Sequence, residues 1–266
     1  MSSSPAPFPY ADARESEVIS DEQADFFCGN GLLVIRNVIE PAELDALRAE
    51  TAALIERAER ERPDDPYLED FSYRKHELTG NRVPSRIEYV IDKSSACKGL
   101  LGHPFVLRTV EKLQGKDFIP TWDSMVFKYE GQGAAIEWHR DAGTDCVDVK
   151  PIFNVDFYLD PSDLTNCVWG IPGSNRWDDA EALAEIRRRN SGGFDTEEAV
   201  PILMQPGDVL LHNILTLHGS PPVESKLRRV IYYEFRPIET ELALGPHTPV
   251  YVPAKQAVLE ACLEHR

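Results

Sequence analysis

Three side chains in this sequence have the types and the spacing of a metal site. His139 and Asp141 lie two residues apart in the run WHRD, and on an extended strand such side chains point to the same face. A second histidine, His218, ends the apolar run LTLH. Two histidines and one carboxylate form the facial triad that holds ferrous iron and leaves three coordination positions open. Zinc hydrolases also use two histidines and a carboxylate, so the ligand types alone leave the metal undecided.

The strand predicted after His218 begins with two adjacent arginines, Arg228 and Arg229, in the run RRVIYYEF. A guanidinium that points into a barrel lined by Val, Ile and Tyr costs free energy unless an anion pairs with it. A dicarboxylate cosubstrate supplies that anion, because its far carboxylate pairs with arginine while an α-keto acid at its other end chelates the metal. Adjacent strand residues face opposite sides, so we expect one arginine in the cavity and the other in solvent.

The composition is that of a soluble globular protein and excludes one class of partner. Of the 266 residues, 42% are hydrophobic and 27% are charged, a balance that provides an ample core. The 45 acidic side chains outnumber the 28 basic ones and give a net charge of −17. That field repels phosphate backbones, so we expect no nucleic-acid partner. A cationic or polyhydroxylated small molecule fits it better.

The sequence predicts a cytoplasmic protein. Its five cysteines are odd in number and scattered, with no C-x-x-C pair, which fits a reducing compartment better than a disulfide framework. The run MSSSPAPFPYADARESEV lacks the apolar core of a secretion signal. No stretch reaches the ~18 consecutive apolar residues that cross a bilayer, so we expect no membrane association.

The first part of the chain predicts mainly helices. Residues 1–18 are rich in Ser, Pro and Ala and predict a flexible tail. A short helix capped by Ser20 and a strand over GLLVIRNVI follow, and Pro41 then begins a long amphipathic helix. Residues 61–86 are broken by Pro and Gly and predict an irregular loop that either covers a pocket or is a solvated insertion. A further helix is expected around 104–114.

The second part predicts mainly strands. Between residues 119 and 237, short β-prone runs alternate with Gly, Pro and Asp turns, and one helix is expected around 178–189. Helices ahead of a run of short strands predict an α+β fold, with an antiparallel barrel or sandwich as its core. We expect one domain over residues 19–266, ending in an amphipathic helix.

Four motifs in order give the chain a family resemblance. They are ISDEQADFFCGNGLLVIRNVIEPAELDALR, IEWHRDAG, IPGSNR, and LMQPGDVLLHNILTLHGSPP with the following LRRVIYYEF. Through them the chain resembles the phytanoyl-CoA dioxygenase (PhyH) family over roughly residues 19–237. The resemblance implies an iron(II)- and 2-oxoglutarate-dependent oxygenase that consumes dioxygen. It also implies a double-stranded β-helix, a jelly roll or cupin-like barrel, with the N-terminal helices packed outside.

The resemblance implies roles for individual residues as well. The residues that match the iron ligands are His139, Asp141 and His218. Arg229 matches the arginine that binds 2-oxoglutarate, and this match is the reason for expecting Arg229 in the cavity. Ser220 matches a hydroxyl that contacts the same cosubstrate. Family halogenases carry a small residue in place of the carboxylate ligand, so the presence of Asp141 argues against halogenation.

Other side chains are expected at the cosubstrate or at the substrate. Asn154 and Asp156 alternate inward on the predicted strand IFNVDFYLD, and we expect Asn154 at the cosubstrate and Asp156 at the substrate. Trp138 and Trp169 are expected as pocket walls, since sugars and flat metabolites pack on aromatic faces. Arg86, in the predicted loop, is a further expected substrate contact.

The resemblance therefore implies oxidation of an unactivated C–H bond in a small metabolite, by hydroxylation or oxidative cyclisation. Relatives that act on sugars make a sugar-containing natural product, with orthoester formation as one outcome, the expected subclass. Two alternatives stay open. One is a metal-dependent hydrolase or isomerase that uses the same triad on a cupin-like barrel and has no need of the arginine. The other is an inactive binding protein of the same fold. The oligomeric state is also left open.

The remaining histidines have no H-x-D partner in the sequence. We expect most of them to be surface or packing residues. They are His76, His103, His212, His247 and His265.

Overall fold

The structure is a computed structural model, and it describes most of the chain. The described residues are 10–60, 64–76, 79–128, 135–142, 150–221, 227–245 and 250–266. His247 and the first nine residues of the predicted tail lie outside them. The prediction that residues 19–266 form one domain stays a prediction.

Twelve strands and seven helices lie within the described ranges. The strands are β1 (Tyr10–Asp12), β2 (Leu32–Arg36), β3 (Phe71–Lys75), β4 (Arg82–Glu88), β5 (Phe118–Lys128), β6 (Ile136–His139), β7 (Phe153–Tyr158), β8 (Val168–Gly170), β9 (Val200–Ile202), β10 (Val209–Asn213), β11 (His218–Ser220) and β12 (Arg228–Pro237). The helices are α1 (Asp21–Asn30), α2 (Pro41–Glu59), α3 (Ser95–Leu101), α4 (Pro104–Gln114), α5 (Asp179–Asn190), α6 (Ile238–Leu244) and α7 (Tyr251–His265).

The strands form two sheets that pack face to face. The large sheet has the order β1-β2-β10-β7-β12-β5-β4-β3, and the small sheet has the order β6-β11-β8-β9. Apart from the parallel pair β1 and β2, the pairings within both sheets are antiparallel. Apolar side chains of both sheets meet in one cluster, which includes Leu210 and Val230 from the large sheet and Ile202 from the small one. The predicted α+β architecture with a β-sandwich core is confirmed.

Helices cover the outer face of the large sheet, as predicted. Their apolar side chains, such as Phe27 of α1, Leu47 of α2 and Phe105 of α4, share one buried cluster with Val155 of β7 and Ile231 of β12. Helix α5 lies on the small sheet instead, where Ala182 packs beside Trp138 of β6. Within the described residues, no helix combines the length and the apolar character needed to cross a membrane.

The helix signals in the sequence are confirmed at the atomic level. Ser20 caps α1 by accepting a hydrogen bond from the backbone N–H of Gln23, whose side chain accepts one in return from the N–H of Ser20. Gly31 ends the helix in the left-handed conformation, with φ of 74°. Pro41 occupies the first turn of α2, where its missing N–H costs no helical hydrogen bond.

Two predictions about irregular segments are wrong in part. Residues 61–86 contain β3 and the start of β4, which pair with each other and extend the large sheet beyond β5. Pro84 lies in β4 opposite Tyr73, beside a register shift between Ser72 and Tyr73, and such an irregularity in the pairing tolerates a missing N–H. Within the predicted tail, Tyr10–Asp12 forms β1 on the opposite edge.

Two glycines of the α1 region give a matched test of the fold. A Cβ on Gly31 would lie 2.1 Å from Thr216 Oγ1 and 2.9 Å from Asn175 Cγ. Gly31→Ala should therefore lower the free energy of unfolding by about 2–4 kcal/mol, through left-handed strain and overpacking. Gly29, inside α1, has no such neighbour within 4 Å among the described atoms. Gly29→Ala should raise the free energy of unfolding by about 0.5–1 kcal/mol. Urea unfolding measures both, and equal effects of the two substitutions would contradict this account of Gly31.

Candidate metal and cosubstrate site

A cavity of ≈ 730 Å³ lies between the two sheets. Its wall combines His139 and His218 from the small sheet with side chains of β4, β5, β7, β10 and β12 from the large one. The cavity is the place where the structure brings most of the predicted site residues together.

The predicted triad converges in this cavity. His139 ends β6 and pairs in register with His218 of β11, so the two rings lie against each other with centroids 4.3 Å apart. Asp141 follows two residues after His139, and its Oδ1 lies 3.5 Å from His139 Nε2 and 3.9 Å from His218 Nε2. All three ligand atoms lie within 4.8 Å of one another. That spacing allows the three groups to bind one ion.

Backbone carbonyls orient both imidazole rings. His139 Nδ1 lies 2.7 Å from the carbonyl oxygen of Glu137, and His218 Nδ1 lies 3.0 Å from that of Thr216. Each Nδ1 therefore carries the hydrogen and donates it, which leaves the Nε2 lone pair directed at the shared point. Two such nitrogens and one carboxylate oxygen are a donor set that fits ferrous iron.

The protonation preferences of His218 and Asp141 suit metal binding, whereas at His139 an ion would have to compete with a proton. Burial, reinforced by the neighbouring His139, lowers the pKa of His218 to about 3, so this ring is neutral and able to ligate. Burial opposes the charge on Asp141, but the surrounding histidines outweigh it and hold the pKa of the carboxyl well below its usual value. Burial also disfavours charge on His139, yet Asp141 outweighs it and raises the pKa of His139.

A third histidine, His212, lies at the same site. Its Nε2 is 3.0 Å from Asp141 Oδ2 and its Nδ1 is 2.7 Å from Asp156 Oδ2. The expectation that His212 is a surface or packing residue is therefore wrong. The alternation of side chains along β10 could have predicted this position. Val209 and Leu211 face the helical core, so Leu210 and His212 face the cavity.

Asn154 and Asp156 both line the cavity, as their alternation on β7 predicts. Asn154 Nδ2 lies 3.0 Å from Asp141 Oδ2 and pairs across the strands with His212. Asp156 is bound to His212 on the far side of that ring from the triad. In the described structure, Asn154 thus contacts the candidate ligand Asp141, and Asp156 contacts His212.

Lys128 provides a buried amine beside Ser220. Its Nζ donates to Ser220 Oγ at 2.6 Å and to the carbonyl oxygen of Pro221 at 3.1 Å. Burial, with Arg228 and Arg74 nearby, lowers the pKa of Lys128 to about 6. This amine lacks an anionic partner among the described residues, and a bound carboxylate would favour its protonated form. Sequence reasoning missed Lys128, although Trp122, Val126 and Lys128 share one face of β5.

The two arginines of β12 lie on the opposite faces from those that the sequence predicts. Arg228 lines the cavity and donates from Nη1 to the carbonyl oxygen of Asn166, while its Nε has no hydrogen-bond partner in the described part of the chain. Arg229 lies on the opposite face. Its Nε and Nη2 bind the two oxygens of Asp160 at 2.8 and 2.9 Å, and its Nη1 lies 3.1 Å from Thr51 Oγ1 of α2.

The prediction that Arg229 points into the cavity is therefore wrong, and so is the expectation that Arg228 is solvated. The reason is the period of the strand. Arg229 shares its face with Ile231, Tyr233 and Phe235, which are buried under the helices. Arg228 shares its face with Val230, Tyr232 and Glu234, which line the cavity.

The two tryptophans expected as pocket walls lie elsewhere in the described structure. Trp138 is only 1% exposed and stacks on Phe194 with centroids 5.1 Å apart, under the guanidinium of Arg189. Trp169 packs in the same cluster. Trp138 neighbours His139 on β6 and so faces the opposite side of the sheet. Both indoles therefore support the strands that carry the triad from behind.

Arg86 does line the cavity, where the expectation placed it. It forms an ion pair with Glu88 and donates to the hydroxyl of Tyr232, whose ring it also covers. Trp122, 37% exposed, belongs to the same region of the wall. This more open part of the cavity combines two aromatic rings with several hydrogen-bonding groups.

Comparison with known proteins identifies relatives of the chain. The family model described as phytanoyl-CoA dioxygenase (PhyH) matches residues 27–231. Dioxygenase lolE1 of Epichloe uncinata is 24% identical over 160 residues, which are 60% of this chain and 59% of that protein. The chain thus spans less than two thirds of the length of this curated relative.

Solved structures resemble the fold. AviO1 from Streptomyces viridochromogenes Tue57 has a TM-score of 0.68 at 24% identity, with 86% of this chain and 97% of that one covered. EctD from S. alaskensis, crystallised with 2-oxoglutarate and 5-hydroxyectoine, has a TM-score of 0.66 at 20% identity, with 83% and 77% covered. At these identities the likeness shows a shared fold.

Proposed function

Because the chain belongs to the phytanoyl-CoA dioxygenase (PhyH) family, we propose that it is an iron(II)- and 2-oxoglutarate-dependent dioxygenase that oxidises an unactivated C–H bond of a small metabolite. The family predicted from the sequence motifs is confirmed. The observation that carries the proposed activity is one cavity that holds both the triad and two buried basic side chains, Arg228 and Lys128.

The proposed iron ligands are His139 Nε2, His218 Nε2 and one oxygen of Asp141. Three protein ligands leave open positions for a chelating cosubstrate and for dioxygen. A bound iron(II) ion supplies the activation of dioxygen, which amino-acid side chains do not provide. The protein's own contribution is the orientation of the two rings by the carbonyls of Glu137 and Thr216.

The proposed cosubstrate site joins the triad to the cationic end of the cavity. Arg228, 3% exposed, and Lys128, 5% exposed, are the groups that would pair with the far carboxylate of 2-oxoglutarate. Ser220 Oγ, within 2.6 Å of Lys128 Nζ, would share that carboxylate. Arg228 takes the role expected of Arg229, and Asn154 orients Asp141 instead of contacting the cosubstrate.

Apolar side chains line the wall around the triad and limit the water there. They come from both sheets and include Leu32, Ile136, Val168, Leu210 and Val230. Exclusion of water protects a reactive oxidant from side reactions and directs it to the substrate.

For the substrate we propose a small ring-bearing natural product, such as one with a sugar unit, oxidised by hydroxylation or by ring closure such as orthoester formation. Trp122 and Tyr232 offer faces for a ring, while Ser85, Arg86 and Glu88 offer partners for hydroxyl groups. EctD, which shares this fold, was crystallised with 5-hydroxyectoine alongside 2-oxoglutarate. A fold that accepts a hydroxylated small molecule beside the cosubstrate supports this choice.

The cytoplasmic location and the lack of a nucleic-acid partner stay predictions from the sequence. The net charge of −17 supports the second of these.

Uncoupled turnover tests the proposed activity without knowledge of the substrate. Protein supplied with iron(II), 2-oxoglutarate and dioxygen should form succinate, and His139→Ala or His218→Ala should reduce the rate at least about 100-fold, since each removes a metal ligand. Succinate is quantified by mass spectrometry. His103→Ala, a buried histidine outside the described cavity wall, is the matched control and should keep the wild-type rate. Wild-type rates in both triad variants would overturn the proposal.

The adjacent arginines allow a paired test of the cosubstrate site. Arg228→Lys should raise the Kd for 2-oxoglutarate about tenfold or more, because lysine lacks the bidentate fork of arginine. Arg229→Lys should leave that Kd within about twofold while lowering the free energy of unfolding, because it disturbs the buried pair with Asp160. Calorimetric titration of Co(II)-loaded protein measures both constants. A larger effect of Arg229→Lys on the Kd would restore the assignment made from sequence.

The buried lysine predicts a pH dependence of cosubstrate binding. In the free cavity the pKa of Lys128 is about 6, so above that pH the amine is neutral and must take up a proton when a carboxylate binds beside it. The Kd for 2-oxoglutarate should therefore rise with pH above about 6, by up to about tenfold per pH unit. Lys128→Met should bind more weakly at low pH and lose this dependence. The Kd for 2-oxoglutarate is measured against pH at saturating Co(II) for the wild-type protein and for Lys128→Met. The same pH dependence in both proteins would contradict the prediction.

A further inference from the structure

His212 is a buried imidazole held between two carboxylates. It is 8% exposed, and its two ring nitrogens lie 2.7 Å from Asp156 Oδ2 and 3.0 Å from Asp141 Oδ2. Neither the proposed iron binding nor the proposed cosubstrate binding uses His212 directly. Its contacts nevertheless end on the carboxylate of the triad.

The geometry fixes the direction of these hydrogen bonds. An oxygen lone pair approaches a ring nitrogen this closely when a hydrogen lies between them. The Nε2 of His212 lies 3.0 Å from Asp141 Oδ2 and also 3.0 Å from Asn154 Nδ2. An ionised Asp141 only accepts hydrogen bonds, so a bare Nε2 would face it lone pair to lone pair. The Nε2 of His212 is therefore the donor to Asp141, and the Asn154 amide donates to the same oxygen. Asp156 binds the Nδ1 on the opposite side of the ring and fixes the ring's orientation. The ring therefore cannot turn without breaking a buried hydrogen bond.

The two oxygens of Asp141 have different surroundings. Oδ2 accepts from His212 Nε2 and from Asn154 Nδ2, each at 3.0 Å. Two donors use both lone pairs of this oxygen. Oδ1 faces the Nε2 atoms of His139 and His218, at 3.5 and 3.9 Å. The carboxylate thus presents one oxygen to the point where the imidazoles converge.

We infer that His212, backed by Asp156, is a positioning residue that restricts Asp141 to a single metal-binding oxygen. This inference rests on the proposed function. A carboxylate released from His212 can chelate an ion with both oxygens. The second oxygen would then occupy a coordination position that a chelating cosubstrate needs. His212 therefore keeps that position available.

A role for His212 as a fourth metal ligand is the competing arrangement. It requires the Nε2 lone pair to face the ion. In the structure this nitrogen faces Asp141 Oδ2 instead, and the ring of His212 lies 4.7 Å from that of His218. The two arrangements predict different effects on the metal and on the cosubstrate.

The test compares metal affinity with cosubstrate affinity in His212→Phe, which keeps the ring volume and removes the donors. Titration of the metal-free protein with Co(II) gives the first Kd, and titration of the Co(II)-loaded protein with 2-oxoglutarate gives the second. We expect the Kd for 2-oxoglutarate to rise about tenfold or more, because the freed oxygen of Asp141 competes with the cosubstrate for one coordination position. The Kd for Co(II) should change much less than the Kd for 2-oxoglutarate, because all three metal ligands remain and the freed oxygen adds a contact to the ion. The visible Co(II) spectrum before addition of 2-oxoglutarate should also shift.

Two further variants make the test decisive. Asp156→Asn keeps the shape of the side chain and weakens its hydrogen bond to His212. It should raise the Kd for 2-oxoglutarate and shift the Co(II) spectrum in the same direction as His212→Phe, but by less. If His212→Phe does not fold, Asp156→Asn provides the test. His103→Phe removes another buried histidine outside the described cavity wall and should leave both constants unchanged.

The outcomes separate the inference from the proposed function. Wild-type affinity for 2-oxoglutarate in His212→Phe and Asp156→Asn would overturn the positioning role alone. A large loss of Co(II) affinity in His212→Phe would overturn it in favour of a fourth ligand. Failure of the wild-type protein to bind Co(II) and 2-oxoglutarate would instead overturn the proposed function, and the inference with it.

Discussion

A β-strand can offer only every second side chain to one side of a sheet, and this constraint organises the protein. Strands β7, β10 and β12 of the large sheet each turn one set of side chains to the helices and the other to the cavity. Apart from Arg229 of β12, the first set is mainly apolar and supplies the core. The second set holds Asp156, His212 and Arg228, so the stability of the sheet and the chemistry of the cavity are built on the same strands.

The cavity separates its charges along its length. Acidic groups gather around the triad, where Asp141 and Asp156 share His212. Basic groups gather at the other end, where Arg228 lies close enough to Lys128 to disfavour its charge. Burial of like charges is tolerated when a ligand neutralises them. By contrast Arg229, on the outer face, is already neutralised by Asp160 and has no need of a ligand.

Sequence reasoning chose the three candidate metal ligands, which the structure brings together, from residue type, the H-x-D spacing and the family resemblance. His139 and Asp141 needed only an extended backbone, and Ser20 and Pro41 marked the starts of helices in the same local way. The error at Arg229 came from fixing a position by resemblance, although the run RRVIYYEF places Arg229 on the face of Ile231 and Tyr233. His212 was missed for a related reason, since its partners Asp141 and Asp156 come from elsewhere in the sequence. A contact such as that between His212 and Asp156 can be predicted only when the register of β7 against β10 is known.

The open part of the cavity is built differently from its buried end. Strand β3 is at the edge of the large sheet, with β4 as its neighbour in the described order, and Ser72 and Arg74 of β3 border the cavity there. A side chain exchanged on an edge strand disturbs few neighbours. Substitutions in β3 can therefore change which molecule the cavity accepts while the strands that carry the candidate metal ligands stay unaltered.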